Sequence, residues 1–316
     1  MNDVIIENAK RKVLVLVSTY NGEKNLCAQL NSILQQQGDF DLEILVRDDG
    51  SQDRTTQILS EYQNNDRLTW YKDGENVGAA NSFMRLLYDA PEADYYAFSD
   101  QDDVWKENKI DESIKYLSEI NGYGVVYTNA YLVDSNLNSL NCKVFTDIQK
   151  MTVLKSLCSC NAMGCTMVMN NSLVQLIKNM PIPNNIIMHD GFICGVCMSC
   201  GGEVIYLEEP TMYYRQHSNN AVGYTTDRFI FNRIREKYNH ITQKRKIQIN
   251  RQAEEIYKYK NFINERNLHI VEMVMNYKEN IGYRLHLVID LICLGISKNG
   301  TKHEILNALA VLLGNA

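Results

Sequence analysis

The chain has no run of about 18 apolar residues, the length a membrane-spanning helix needs. Residues 1–12 are polar and charged, so no secretory leader is expected. Positive charge is not in excess either. Lys and Arg number 32 against 38 Asp and Glu, a net charge of −6 that argues against nucleic acid as a partner. What is present is a chain of 316 residues, 45% hydrophobic, enough for one large domain with appendages or two modest ones. Nine cysteines without a secretory leader point to free thiols in a reducing cytoplasm.

The first hundred residues alternate two hydrophobic periods. Residues 13–18 (VLVLVS) are a continuous apolar run, as in a strand buried on both faces. Thr19-Tyr20-Asn21-Gly22 breaks it, and Leu26, Leu30, Ile33 and Leu34 follow at helical spacing. The pattern repeats with a strand at 42–46 and a helix through Ile58, Leu59 and Tyr62. It repeats again with a strand at 68–71 and a helix through Phe83, Leu86 and Leu87. A fourth strand is expected at 95–99. Such alternation implies right-handed crossovers and a mostly parallel sheet. The polar segments at the strand ends (Tyr20 and Asn21, Asp48 and Asp49, Asn76, Asp100 to Asp103) must then meet at one crevice.

The fourth of these segments carries the most chemistry. The run YYAFSDQDDVW, from Tyr95 to Trp105, passes from apolar strand residues to three carboxylates in four positions. Crowded carboxylates repel unless a proton or cation holds them. Oxygen ligands suit a hard ion such as Mg²⁺ or Mn²⁺ bridging to phosphates. The plain alternative is a solvated acidic turn capping a helix that starts near Val104.

Four runs in order, VSTYNGEKNL from Val17, ILVRDDGSQDRT from Ile44, NVGAANSF from Asn76 and SDQDDVW from Ser99, resemble glycosyltransferase family 2. The resemblance is to bacterial rhamnosyltransferases of surface polysaccharide synthesis in particular. It implies an α/β, GT-A fold: a Rossmann-like, mostly parallel central sheet flanked by helices. A nucleotide-binding part (about 1–105) and an acceptor-binding part (about 106–226) would form the catalytic domain, 1–226. It also implies inverting, metal-dependent sugar transfer from a nucleoside diphosphate donor to a saccharide acceptor. dTDP-L-rhamnose is the donor favoured by that resemblance, with a UDP-hexose as the alternative. A non-catalytic nucleotide- or glycan-binding subunit of the same fold is the alternative of another class.

The resemblance also assigns residues. Thr19, Tyr20 and Asn21 would lie against the base and ribose. Asp49 would accept the imide N–H of uracil or thymine, with Asp48 supporting the turn. Asn76 and Gly78 would lie near the sugar-phosphate. Asp102 would bind the metal, Mn²⁺ or Mg²⁺, and Asp100 the ribose or a metal-bound water, while Asp103 and Trp105 would be structural. In the second half, His189-Asp190 stands where the family usually has Glu-Asp, which makes Asp190 the expected general base. Helix capping is its plain alternative. After a strand near 204–207 and a turn at Pro210, Arg215 would neutralise the leaving diphosphate and His217 would reach the metal. An ordinary surface strand is the alternative there. Gly164, in the stretch 159–169 (SCNAMGCTMVM), would floor the acceptor site.

Two patterns are dismissed. Cys194, Cys197 and Cys200 have iron–sulfur-like spacing but lie in an apolar helical pattern without a fourth ligand, so core packing is expected. Residues 295–302 (GISKNGTK) transpose the Lys and Thr of a phosphate loop and follow a helix rather than a strand.

The tail differs in character. Between 228 and 260 there are ten Lys or Arg against three Glu, with aromatic and aliphatic residues interspersed. Thr301 and Glu304 read as a capping box before a last amphipathic helix. Residues 227–316 are therefore expected to be a helical, basic and amphipathic extension. It would dock at the inner membrane face beside a polyprenyl-linked acceptor, or pack on the catalytic domain, or form a homodimer.

Overall fold

The computed structural model describes residues 10–146, 150–216, 249–296 and 302–312. The four expected strands form, each reaching at least its expected length: β1 (Arg11–Thr19), β2 (Phe40–Asp48), β3 (Leu68–Tyr71) and β4 (Tyr95–Ser99). They lie parallel in the order β3-β2-β1-β4. Val13 to Val17 are all at most 3% exposed, which is why this strand has no polar alternation. Helices α1 (Leu26–Leu34), α2 (Thr55–Tyr62) and α3 (Gly78–Asp89) make the crossovers and bury their apolar stripes on the sheet.

Register decides where the strands end. Thr19 pairs with Asp48, and Val17 with Ser99. Tyr20, Asp49 and Asp100 therefore leave the sheet side by side.

The second half adds five strands. These are β5 (Val104–Trp105), β6 (Gly124–Val133), β7 (Ser139–Lys143), β8 (Met167–Asn170) and β9 (Glu203–Arg215). The nine-stranded sheet runs β3-β2-β1-β4-β8-β6-β9-β5, with β7 on β6. β8 runs antiparallel to both β4 and β6, while β9 is parallel to β6. Six of the nine strands (β1 to β4, β6, β9) thus share one direction, and the sheet is mostly parallel as expected.

Two local expectations are corrected. Val104 does not open a helix. Val104 and Trp105 pair with Tyr213 and Met212, and the helix, α4 (Lys109–Leu117), starts four residues later. Pro210 is not in a turn but inside β9, at a register shift opposite Asn129. A bulge is one of the few places where a strand tolerates a residue without an N–H.

Helices α5 (Val153–Cys158), α6 (Asn171–Lys178) and α7 (His189–Ser199) cover this half. After the undescribed stretch come α8 (Ile249–Tyr257), α9 (Glu265–Asn276), α10 (Ile281–Ile296) and α11 (Lys302–Leu312). Ile249, Ala253, Ile256, Val271 and Val274 are buried in the same core as the sheet. Asn267 Nδ2 donates to the carbonyls of Met198 (3.3 Å) and Ser199 (3.1 Å), satisfying the end of α7. Cys194 and Cys197 are fully buried, and Cys200 packs against the core. No helix among the described residues is long and apolar enough to cross a membrane.

Candidate active site

One cleft of about 970 Å³ opens where the strands end. Its wall includes Tyr20, Asn21, Asp49, Asn76, Gly78, Asp100, Asp102, Asp190 and Arg215. These positions come from six separate chain segments, and the sheet register brings them together. Thr19 is adjacent but turned inward, its hydroxyl donating to Asp48 Oδ1 (3.2 Å). His217 lies outside the described residues, as do Thr301 and most of the basic stretch before Ile249.

The loop after β1 is fixed by its neighbours. Tyr20 N–H donates to Gln101 Oε1 (2.8 Å), and Gln101 Nε2 returns a bond to Tyr20 O (2.9 Å). Asn21, at φ 51, donates its N–H to Ser51 Oγ (2.9 Å) and accepts from Gln52 N (2.8 Å). The Tyr20 ring is 47% exposed, an aromatic face at the rim of the cleft.

Asp48 is fully buried and supports the turn, accepting from Thr19, from Ser51 N (3.0 Å) and from the Ser51 hydroxyl. Asp49 bridges β2 to α3. Its Oδ1 accepts from Arg47 Nη1 (2.5 Å) and Val77 N (2.9 Å), and its Oδ2 from Gly78 N (2.9 Å). That uses three of the roughly four acceptor positions of a carboxylate. Gly78 has φ +77, a conformation that favours glycine, so its place at the start of α3 is set by backbone shape. Arg47 was missed by sequence reading. It is fully buried and braced by Asp73 through two bonds (3.0 and 2.7 Å). Its only sequence signal was a charge inside an apolar strand.

The acidic loop is an electrostatic hot point. Asp100 is pushed up to about 7 by burial, then by Asp102 and Asp190. Asp103 is raised well above the ordinary carboxylate range by burial, then by Asp102 and Asp100. Its Oδ1 accepts from Arg215 N (3.0 Å), while its buried Oδ2 has no hydrogen-bond partner among the described residues. Ligand atoms of Asp100, Asp103 and Cys165 lie within 4.8 Å of one another. The Cys165 thiol is also pushed far up by burial and the carboxylates, so it stays protonated beside them. An orphaned buried carboxylate oxygen among repelling carboxylates fits a hard divalent cation. Expectation paired Asp100 with Asp102 and left Asp103 structural. The cluster of ligand atoms contains Asp100 and also Asp103, and Asp102 is on the cleft wall with Asp100.

Arg215 is 4% exposed. Its Nε donates to Asp102 O (2.7 Å) and its Nη1 to Ser135 O (2.6 Å), so the guanidinium props up the acidic loop. Lys109, likewise unanticipated, is fully buried behind that loop, with Nζ donating to Thr166 O (3.1 Å) and lying 4.9 Å from the Trp105 ring. Burial lowers it to about 8.

Asp190 faces the acidic loop from the first turn of α7. Its Oδ1 accepts from Gly191 N (2.6 Å) and its Oδ2 from Gly164 N (3.2 Å). Burial raises its pKa to about 6. A carboxylate tuned into that range, in a cleft and opposite an ion-binding cluster, is equipped to take a proton near neutral pH.

Comparison with known proteins agrees with this geometry. A family profile described as "Glycosyl transferase family 2" matches residues 14–170. The chain is 32% identical to the dTDP-rhamnosyl transferase RfbG of Shigella flexneri over 226 residues, covering 66% of this chain and 73% of that one. Among solved structures, S. aureus TarS 1-349 in complex with UDP-GlcNAc superposes with a TM-score of 0.54 at 16% identity, over 96% of this chain and 92% of that one. The mannosyltransferase PcManGT of Pyrobaculum calidifontis, in complex with GDP-Man and Mn²⁺, superposes with a TM-score of 0.52 at 15% identity, covering 98% and 88%. The structures speak to the fold, which is GT-A.

Proposed function

The chain belongs to glycosyl transferase family 2, and from that premise we propose that it is an inverting, metal-dependent glycosyltransferase moving L-rhamnose from dTDP-L-rhamnose to a hydroxyl of a growing cell-surface polysaccharide. The observation that carries the reading is the pairing of Asp190 with the acidic loop across one cleft. Binding and leaving-group chemistry sit on one wall and a tuned base on the other.

Tyr20 offers its ring to the base, and Asp49 retains an acceptor position for an imide N–H, with Asn76 and Gly78 toward the sugar-phosphate. Asp100, Asp102 and Asp103 would hold Mn²⁺ or Mg²⁺, which supplies positive charge to the departing diphosphate. Arg215 steadies that loop and adds its own charge. His217, from its place in the sequence, is kept as a further metal ligand. Asp190 takes the proton of the acceptor hydroxyl as its oxygen attacks the anomeric carbon. The bond from that carbon to the diphosphate oxygen breaks, and the electron pair leaves with the diphosphate. Attack opposite the leaving group inverts the anomeric centre.

The rhamnose donor is favoured by the RfbG relative, at 32% identity. A UDP-hexose donor is the second reading: an imide-reading Asp49 accepts uracil and thymine alike, and TarS holds UDP-GlcNAc. A thermal-shift panel of dTDP-rhamnose, UDP-hexoses and GDP-mannose with Mn²⁺, followed by donor hydrolysis with and without EDTA, separates them. Stabilisation by dTDP-rhamnose above UDP-sugars, with metal-dependent hydrolysis, supports the first reading. Binding without hydrolysis would favour a non-catalytic subunit.

Placement belongs to the same proposal. Residues 1–226 form the catalytic domain and 227–316 the helical extension, in the cytoplasm at the inner membrane face. Support comes from the basic stretch 228–260. It comes also from an apolar stripe on α10, where Ile281, Leu285, Ile289 and Ile292 are 41–66% exposed. Each basic residue near an anionic surface contributes about 1 kcal/mol, screened by salt. Salt-reversible co-sedimentation with anionic vesicles bearing a polyprenyl-linked acceptor is expected. Failure to pellet, with a dimer in sedimentation velocity, would assign the stripe to a second copy.

A further inference from the structure

The geometry around Asp190 points to Gly164 as a positioning residue: we infer that its N–H aims the Asp190 carboxylate, and that the edge of His189 leaves no room for a side chain at this position. The inference rests on Asp190 being the base.

Gly164 N–H donates to Asp190 Oδ2 at 3.2 Å. The other bond described for this carboxylate, from Gly191 N, comes from its own helix. Gly164 therefore ties the base to a different element, the short helical turn Gly164–Thr166 that leads into β8. That turn is itself closed by bonds from Thr166 N (2.9 Å) and Thr166 Oγ1 (2.8 Å) to Met163 O. The next residue, Cys165, lies against Asp100 and Asp103. One turn thus sets the base and touches the acidic loop.

His189 lies close against the turn. A Cβ on Gly164 would lie 2.1 Å from His189 Nε2 and 2.9 Å from Cε1, closer than real Cβ contacts. The imidazole has no room to retreat. It stacks on Phe83 (centroids 4.2 Å) and meets the edge of Phe98 (5.0 Å), and both rings are buried. Neither ring nitrogen has a hydrogen-bond partner among the described residues. Burial depresses its pKa to about 3, so it is an uncharged spacer throughout the working range. An imidazole buried without partners is costly, and such costs persist where a site needs a shape.

A mutant cycle with steady-state kinetics and melting curves on the full chain tests this, with Asp190→Asn as reference. Gly164→Ala is expected to lower kcat about 10- to 100-fold, since misplacement near 1 Å costs that much. Donor KM should stay within about threefold, marking a defect in chemistry rather than binding. In a His189→Ala background the Cβ has space, so adding Gly164→Ala should change kcat less than about threefold. Adding Gly164→Pro in that background removes the N–H, with a ring carbon in its place. Met163 (φ −96, ψ 131) is already extended, as a residue before proline must be. That variant should lose at least about tenfold in kcat. If Gly164→Ala alone does not fold, the Ala and Pro pair in the His189→Ala background decides. Equal losses for Gly164→Ala in both backgrounds, or no difference between Ala and Pro, would overturn the inference while Asp190→Asn remains inactive. Full turnover by Asp190→Asn would overturn the base reading and the inference with it.

Discussion

The two halves of the cleft are built on different principles. On the side proposed for the donor, parallel strands β1, β2 and β4 end close to one another, and each polar residue comes from the few positions after a strand. On the side proposed for the acceptor, Asp190 rides on a helix and Gly164 on a turn before an antiparallel strand, while Arg215, on the bulged β9 of this half, props the acidic loop. The donor side is local in sequence and the acceptor side is assembled from afar. Helices α8 and α9, from beyond residue 248, pack against α7 on that side.

The comparison predicts different failures for the two sides. The largest is expected at the acidic loop. Asp102→Ala should cost about 10³-fold or more in transfer while the protein stays folded, because metal charge stabilisation contributes several kcal/mol. Undiminished activity in EDTA would remove the metal from the account. A mutation far from the chemistry should damage the acceptor side through packing. Ile256 is fully buried with Cδ1 against Gly195 of α7. Ile256→Ala should destabilise the whole protein by about 2–5 kcal/mol in one cooperative denaturant transition. Two separate transitions would make the C-terminal helices an independent body.

On the donor side, Tyr20→Ala should raise donor KM roughly tenfold with kcat little changed, since base–aromatic stacking is worth about 1–3 kcal/mol. A fall in kcat at constant KM would put Tyr20 elsewhere in the reaction. The gentlest probe is pH. As the proposed base Asp190 must be deprotonated to act, and burial raises its pKa to about 6. Activity should therefore fall about tenfold per pH unit on the acid side of that value. A profile flat down to pH 4.5 would contradict the raised pKa.

Legibility followed the same divide. Strands buried on both faces read as continuous apolar runs, so β1 to β4 were visible, and their polar ends came with them. In β6 (GVVYTNAYLV) the run is interrupted by Thr128 and Asn129, both fully buried. Thr128 meets the Thr211 hydroxyl (2.6 Å), and Asn129 Nδ2 donates to Phe145 O (2.8 Å). Those partners are 83 and 16 residues away, so the sequence alone shows only polar residues in a strand. β8 was hidden inside a stretch of small residues because its partner, β4, lies some 70 residues upstream. Pro210 suggested a turn because a bulge has no local signature. The cluster of Asp100, Asp103 and Cys165 depends on a residue 62 positions beyond Asp103, which no spacing rule announces.

The account stands on Asp190 acting as a base rather than as a structural anchor of α7. Donor affinity and single-turnover transfer should be measured side by side for wild type and Asp190→Asn. The account predicts donor affinity within about threefold of wild type and transfer reduced by about 10²–10⁴-fold, the usual worth of a general base. Transfer at the wild-type rate, or donor binding lost together with turnover, would contradict it.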